Sequence, residues 1–246
     1  MMMPNGTGAA MNASDAARRG GDLVLIGSGG FGRETAQAVH ALSRCGAGWR
    51  LLGFLDDDPA RHGLTIDGTP VLGGRDLIGD LPNASFAVCT GRPGDYVSRL
   101  RIVAGLGLPA ERYATIVHPS AAVSASSSLG PGSVLLAHTA LTAAVTVGAH
   151  VAVMPHVTLT HDVVVGDFAT IASGVCLGGG VQVGKAAYLG AGALIGENRT
   201  VGAFSLVGMG AVVTHDVPPR EVWAGVPARR LRAAGIPEPV GAGEAR

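Results

Sequence analysis

The chain has 246 residues, long enough for one large domain or two small ones with buried cores. Eighteen basic residues balance eighteen acidic ones, which argues against nucleic acid or an anionic membrane surface as a partner. Three widely spaced cysteines, Cys45, Cys89 and Cys176, fit a reducing compartment and no zinc cluster, and no apolar run approaches the ~20 residues of a membrane span. A cytoplasmic protein is the expectation. Aromatics make up only 4% of the chain, whereas glycine occurs 39 times, a balance that suits a repetitive β architecture with a narrow interior.

Residues 1–21 contain Arg18-Arg19 but no apolar stretch of signal-peptide length, and read as a disordered extension. Leu23–Ile26 is a short buried strand, and Gly27, Gly29 and Gly32 after it satisfy G-x-G-x-x-G. A helix follows to about Ser43. Such a loop lets backbone amides and a helix N-terminus approach phosphates. A second strand, Leu51–Leu55, ends in Asp56-Asp57-Asp58, where an acid could accept hydrogen bonds from a ribose or base. A third strand spans Phe86–Thr90. Residues 22–113 therefore read as a small Rossmann-like unit, too short for a full dinucleotide fold.

From Val123 to Val213 an aliphatic residue recurs at every sixth position without a slip. The next residue is usually small, as at Gly130, Gly148, Gly166, Gly178, Gly184, Gly190, Gly196, Gly202 and Gly208, and glycine suits turns that need positive φ. A period of six is neither helical nor a plain alternation; it describes a short strand and a tight turn, repeated. This resembles the hexapeptide repeat of left-handed β-helix acyltransferases, in which three hexads make one coil. With eighteen residues per coil, residue i stacks on i+18 at roughly 4.8 Å.

The tetrapeptide Thr-His-Asp-Val occurs twice, at 160–163 and 214–217. His161 and His215 lie 54 residues apart, three coils, and so share one corner column. Ala143 and Gly179 leave space around His161. His215 sits where Pro218-Pro219 ends the pattern, and is expected to be structural.

The Rossmann-like unit, His118-Pro119-Ser120 leading into hexads, a His–Asp pair midway and Gly225-Val226-Pro227-Ala228-Arg229 after the last coil together resemble one family. It is the sialic-acid O-acetyltransferase and nucleotide-aminosugar N-acetyltransferase family, and the resemblance covers residues 22 to about 231. It implies a left-handed β-helix over 114–225, a tail over 226–246, and a homotrimer with acetyl-CoA in the groove between subunits. It implies His161 as general base toward an amine or hydroxyl, Asp162 as its orienting carboxylate, and Gly179 as an oxyanion donor. Thr170, Gly179, Lys185, Ala191, Met209 and Arg229 would meet the cofactor, although Lys185 also stacks on Asp167 and could simply pair with it. Gly29, Gly30, Phe31, Asp56, Asp57, Gly91 and Met154 would meet a nucleotide-linked sugar. The chain departs from the family at several places: Met154 stands where asparagine is common, Thr170 and Phe31 where histidine is frequent, and Gly91-Arg92-Pro93-Gly94 where Gly-Asn is usual.

Two other readings compete. His138, His156 and His161 could form a three-histidine zinc site of the kind found in β-helix carbonic anhydrases. A non-catalytic nucleotide-sugar-binding trimer is the third reading.

Overall fold

The computed structural model describes residues 11–12, 20–46 and 48–235. Apolar runs in the first part build β1 (Gly21–Ile26), β2 (Trp49–Leu55), β3 (Thr65–Ile66), β4 (Thr69–Gly73) and β5 (Ser85–Val88). They form one sheet in the order β3-β4-β2-β1-β5, parallel throughout except for the β3–β4 hairpin. Helix α1 (Gly30–Arg44) buries Ala36, Val39 and Leu42 against Leu23, Leu25 and Phe54 of the sheet. Helix α2 (Ser98–Leu106) ends at Gly107, whose φ of 58° supplies a left-handed cap. The β3–β4 hairpin and α2 were not legible in the sequence, because both are too short to show a period. The chain leaves β1 toward β2 on one side and returns to β5 on the other. That reversal opens a crevice at the carboxyl ends of the strands.

From Ile116 onward the chain winds as a left-handed parallel β-helix of two-residue strands on three faces. Ala140 pairs with Thr158, Thr158 with Cys176 and Cys176 with Leu194, a register of eighteen that holds on all three faces. The aliphatics at every sixth position are buried, except for the half-buried Val123. A second inward column, not anticipated from the sequence, closes each corner: Val145, Val151, Val157, Val163, Val175 and Val181 are all buried.

The repeated glycines have a different role from the one expected. Positive φ falls three residues after the aliphatic, where Asp162, His156, Phe168, Asn198 and Phe204 take it as readily as Gly174 or Gly192. The glycines directly after the aliphatic are there because neighbouring coils nearly touch. A Cβ on Gly166 would lie 2.8 Å from the Lys185 amide nitrogen one coil on.

Of the extension expected over 1–21, most lies outside the described residues; Met11–Asn12 pairs antiparallel with Ser128–Leu129 at the first coils. The expected boundary at 225 falls at the tip of a hairpin. Glu221–Gly225 continues one face in parallel with Leu206–Val207, and Ala228–Ala233 folds back antiparallel on it. Residues 236–246 of the expected tail lie outside the described residues. No helix among the described residues is long and apolar enough to cross a membrane.

The two glycine positions separate by mutation. Gly166→Ala should cost ~1–3 kcal/mol through overpacking of adjacent coils. Gly192→Ala, with φ 70° and open space around its Cα, should cost no more than ~1–2 kcal/mol. Chemical unfolding of both variants checks the order; a larger loss at Gly192 would restore the turn explanation.

Candidate active site

The two copies of Thr-His-Asp-Val fold into different constellations. At the first, Asp162 itself takes the left-handed corner, with φ 61°, and its carboxylate turns back to the neighbouring ring. His161 Nδ1 and Asp162 Oδ2 are 2.8 Å apart. A carboxylate at Nδ1 holds the proton there and leaves the Nε2 lone pair free to accept another. The imidazole lies against Gly179 one coil away: a Cβ on that residue would collide with its Cε1 and Nε2. The His161 side chain remains 64% exposed. The Gly179 amide makes no hydrogen bond among the described residues, while its carbonyl accepts from the Asn198 amide.

At the second copy the pair is broken. Asp216 Oδ1 accepts from the Thr200 amide at 2.9 Å, tying down the last coil, and His215 Nδ1 lies 3.0 Å from the Thr214 hydroxyl. Asp216 is thus committed to the Thr200 amide and to Arg199, 3.8 Å away, and among the described residues His215 has no carboxylate partner.

The zinc site of the competing reading does not assemble. His138 and His156 stack ring on ring at one corner, with centroids 5.0 Å apart. His161 stands on the following corner, beyond the Thr158–Leu159 strand. Among the described residues no three histidine, cysteine or acidic side chains come together to hold a metal.

In the first domain a cavity of about 310 Å³ opens at the crevice beside β1. Gly29, Gly30 and Phe31 at the start of α1 line one side, and Gly91 and Arg92 after β5 line the other. Gly27, with φ 101°, and Gly32, whose Cβ would meet the Gly27 carbonyl, are needed to build the loop. Gly29 and Gly30 face open space instead, and leave room for a ligand. Asp56 and Asp57 do not line the cavity. The Asp56 carboxylate holds the loop from behind, accepting from the Ser28 amide at 2.8 Å and from its hydroxyl at 2.5 Å. Burial pushes the Asp56 carboxyl up, but Ser28, the Asp58 amide and the Arg61 guanidinium outweigh it and hold it below the usual carboxylate range. Asp57 pairs with Arg75 at 2.8 Å.

Comparison with known proteins matches this chain to one group of enzymes. The PglD N-terminal domain family matches residues 22–102. The acetyltransferase domain of PglB from Neisseria gonorrhoeae, solved with acetyl coenzyme A, is 31% identical over 87% of this chain and 100% of its own, with a TM-score of 0.76. The chain belongs to the sialic-acid O-acetyltransferase and nucleotide-aminosugar N-acetyltransferase family. PerB from Caulobacter crescentus, solved with CoA and GDP-perosamine, is 29% identical over 86% of this chain and 97% of its own, with a TM-score of 0.75. A UDP-N-acetylbacillosamine N-acetyltransferase of Bacillus subtilis is 30% identical over 121 residues, which span about half of that relative (51%).

The remaining residues that the family resemblance singled out are scattered over the coils. Ala191 and Met209 are exposed on one corner column, Met209 at 80%, and Arg229 is exposed on the terminal hairpin. Lys185 makes no ion pair with Asp167 among the described residues. Asp167 Oδ1 takes the Ala149 amide at 2.8 Å, and the ammonium sits 5.8 Å over the Phe168 ring. Met154 packs against the core of the first domain, as Phe31 does. Thr170, expected at the cofactor, is 5% exposed, and its hydroxyl accepts from Arg99 at 2.8 Å. Arg99 was missed in the sequence, because an arginine inside a short helix reads as a solvated charge.

The contact between imidazole and glycine gives a structural test. Gly179→Ala should push the His161 ring out of its place and break the contact with Asp162, at little cost to folding because the ring is exposed. A crystal structure of the variant checks this; an unmoved His161 would contradict the packing described.

Proposed function

We propose that this protein transfers the acetyl group of acetyl-CoA to an amine, or a hydroxyl, of a nucleotide-linked sugar. The observation that carries the reading is the His161–Asp162 pair lying over Gly179, on a coil joined to a domain with a cavity at its glycine loop. His161 Nε2 takes the proton from the acceptor nitrogen or oxygen as that atom attacks the thioester carbon. Asp162 keeps Nδ1 protonated and offsets the charge that develops on the ring. The unpartnered Gly179 amide donates to the carbonyl oxygen as negative charge gathers there. When the carbon–sulfur bond breaks, the imidazolium returns its proton to the departing thiolate, and His161 is neutral again. The nucleotide end of the acceptor lies in the cavity against Gly29, Gly30, Phe31 and Gly91, with Asp56 fixing the loop and Asp57 and Met154 at its margins.

The same reading assigns Ala191, Met209, Arg229 and Lys185 to the CoA groove, and makes the protein a homotrimer. One face of the helix supports this: Leu194 is 46% exposed there, with Cys176 exposed and Val212 half-buried in line with it. A neighbouring copy would cover this apolar strip. A cytoplasmic location fits the use of acetyl-CoA as donor.

Thiol release from acetyl-CoA in the presence of UDP-, GDP- and dTDP-linked aminosugars tests the activity. With a good acceptor, His161→Ala should lower kcat by roughly 10²–10⁴-fold. Asp162→Asn should lower it less, and His215→Ala should leave it within a few-fold. Equal losses at 161 and 215 would overturn the assignment. Light scattering at micromolar concentration should give three times the chain mass; an active monomer would overturn the trimer.

A further inference from the structure

Arg99 is 1% exposed, and among the described residues its guanidinium pairs with no carboxylate. Its Nη1 donates to the Thr90 carbonyl at 2.6 Å, on the loop that walls the glycine-loop cavity. Its Nε donates to the His150 carbonyl at 2.7 Å. Its Nη2 reaches the Phe168 carbonyl at 3.0 Å, the Ala169 carbonyl at 3.1 Å and the Thr170 hydroxyl at 2.8 Å. One side chain therefore holds the pocket loop and two successive coils of the β-helix. Gly91 lies directly over it: with φ 127°, a Cβ there would come 3.1 Å from Nη1. The guanidinium also stands 6.0 Å from the Phe31 ring on the opposite wall of the cavity.

A buried cation without a counter-charge is an expensive way to join two domains. Apolar side chains of similar volume hold surfaces together at lower desolvation cost. What a planar fork of five donors adds is a single geometry, because its acceptors can be met in only one orientation. We propose that Arg99 is a positioning residue that fixes the nucleotide pocket relative to the coils, so that an acceptor anchored by its nucleotide is delivered to the acetyl-transfer site. The proposal rests on the function set out above. A displacement of about 1 Å in an anchored acceptor can cost ~100-fold in rate, whereas an acceptor that does not use the pocket is indifferent to where the pocket lies.

The test compares two acceptors on the full-length protein: a nucleotide-linked aminosugar that the wild type acetylates, and the same aminosugar without its nucleotide. Arg99→Lys keeps the charge but cannot reach the three segments at once. It should lower kcat/KM for the nucleotide-linked acceptor by about 100-fold. The free aminosugar and the KM for acetyl-CoA should change by less than about three-fold, within the error of a factor that carries no anchoring. Thr170→Val removes one acceptor of the network while keeping the shape of the side chain, and should shift the same ratio in the same direction by a smaller factor. If Arg99→Lys does not fold, the Thr170→Val ratio decides. Equal losses on both acceptors, or no loss on the linked one, would overturn the positioning role and leave the activity standing. A wild type that acetylates no nucleotide-linked acceptor would instead overturn the proposed function itself, and the positioning role with it.

Discussion

The pitch of the β-helix governs this molecule. Parallel strands hydrogen-bonded one coil to the next repeat at ~4.8 Å. At that spacing, backbones approach so closely beside the face built on Leu129, Val147, Val165, Val183 and Val201 that a Cβ would collide with the next coil, and glycine follows the buried aliphatic in every coil of that face. The active-site candidate arises from the same spacing. His161 fits where it does because its neighbour one coil away is Gly179, and because Asp162 takes the left-handed corner that returns a carboxylate to its ring. A side chain at position 179 would force the imidazole outward, away from the Gly179 amide.

The second dependence is the join between the domains. The sheet and the β-helix each have a buried cluster of their own, and a third, apolar one joins them, with Leu23, Leu25 and Phe54 packed in one cluster with Ile116, Val134 and Leu136. Arg99 and the aromatic stack around it add directional contacts to that apolar join. His150 lies parallel to Phe168 at 5.0 Å and edge-on to Tyr113 at 4.5 Å. Burial, with Arg99 nearby, pushes the His150 imidazole down to about 4, so this ring is neutral and serves as an aromatic filler. Burial also lowers the Arg99 guanidinium to about 10, which leaves it charged at neutral pH.

Most of the β-helix was legible because its determinant is periodic and local. The buried aliphatics, the eighteen-residue register and the corner shared by His161 and His215 all follow from counting by six. The role of the glycines was misread for a physical reason. Counting finds their spacing, but only the distance between coils distinguishes close approach from positive φ, and here His150, Phe168 and Asp162 take the positive φ. The glycine loop was legible at Gly29 and Gly30. Asp56 was located at the end of its strand, but the Ser28 contact that absorbs its carboxylate crosses 28 residues and leaves no sequence trace. Thr170 and Arg99 are 71 residues apart and belong to different domains, so neither predicts the other. His156 and His161 have a metal-like spacing, with His138 stacked on His156, yet the triangular cross-section of the helix sends His161 to another corner.

The central claim is that His161, and not its sequence twin, receives the acceptor's proton. A crystal structure with CoA and a nucleotide-linked aminosugar tests it most directly. The account predicts the acceptor nitrogen within roughly 2.6–3.2 Å of His161 Nε2, with the nucleotide in the cavity beside Gly29 and Gly30. An acceptor nitrogen held at His215, or at no histidine at all, would contradict it.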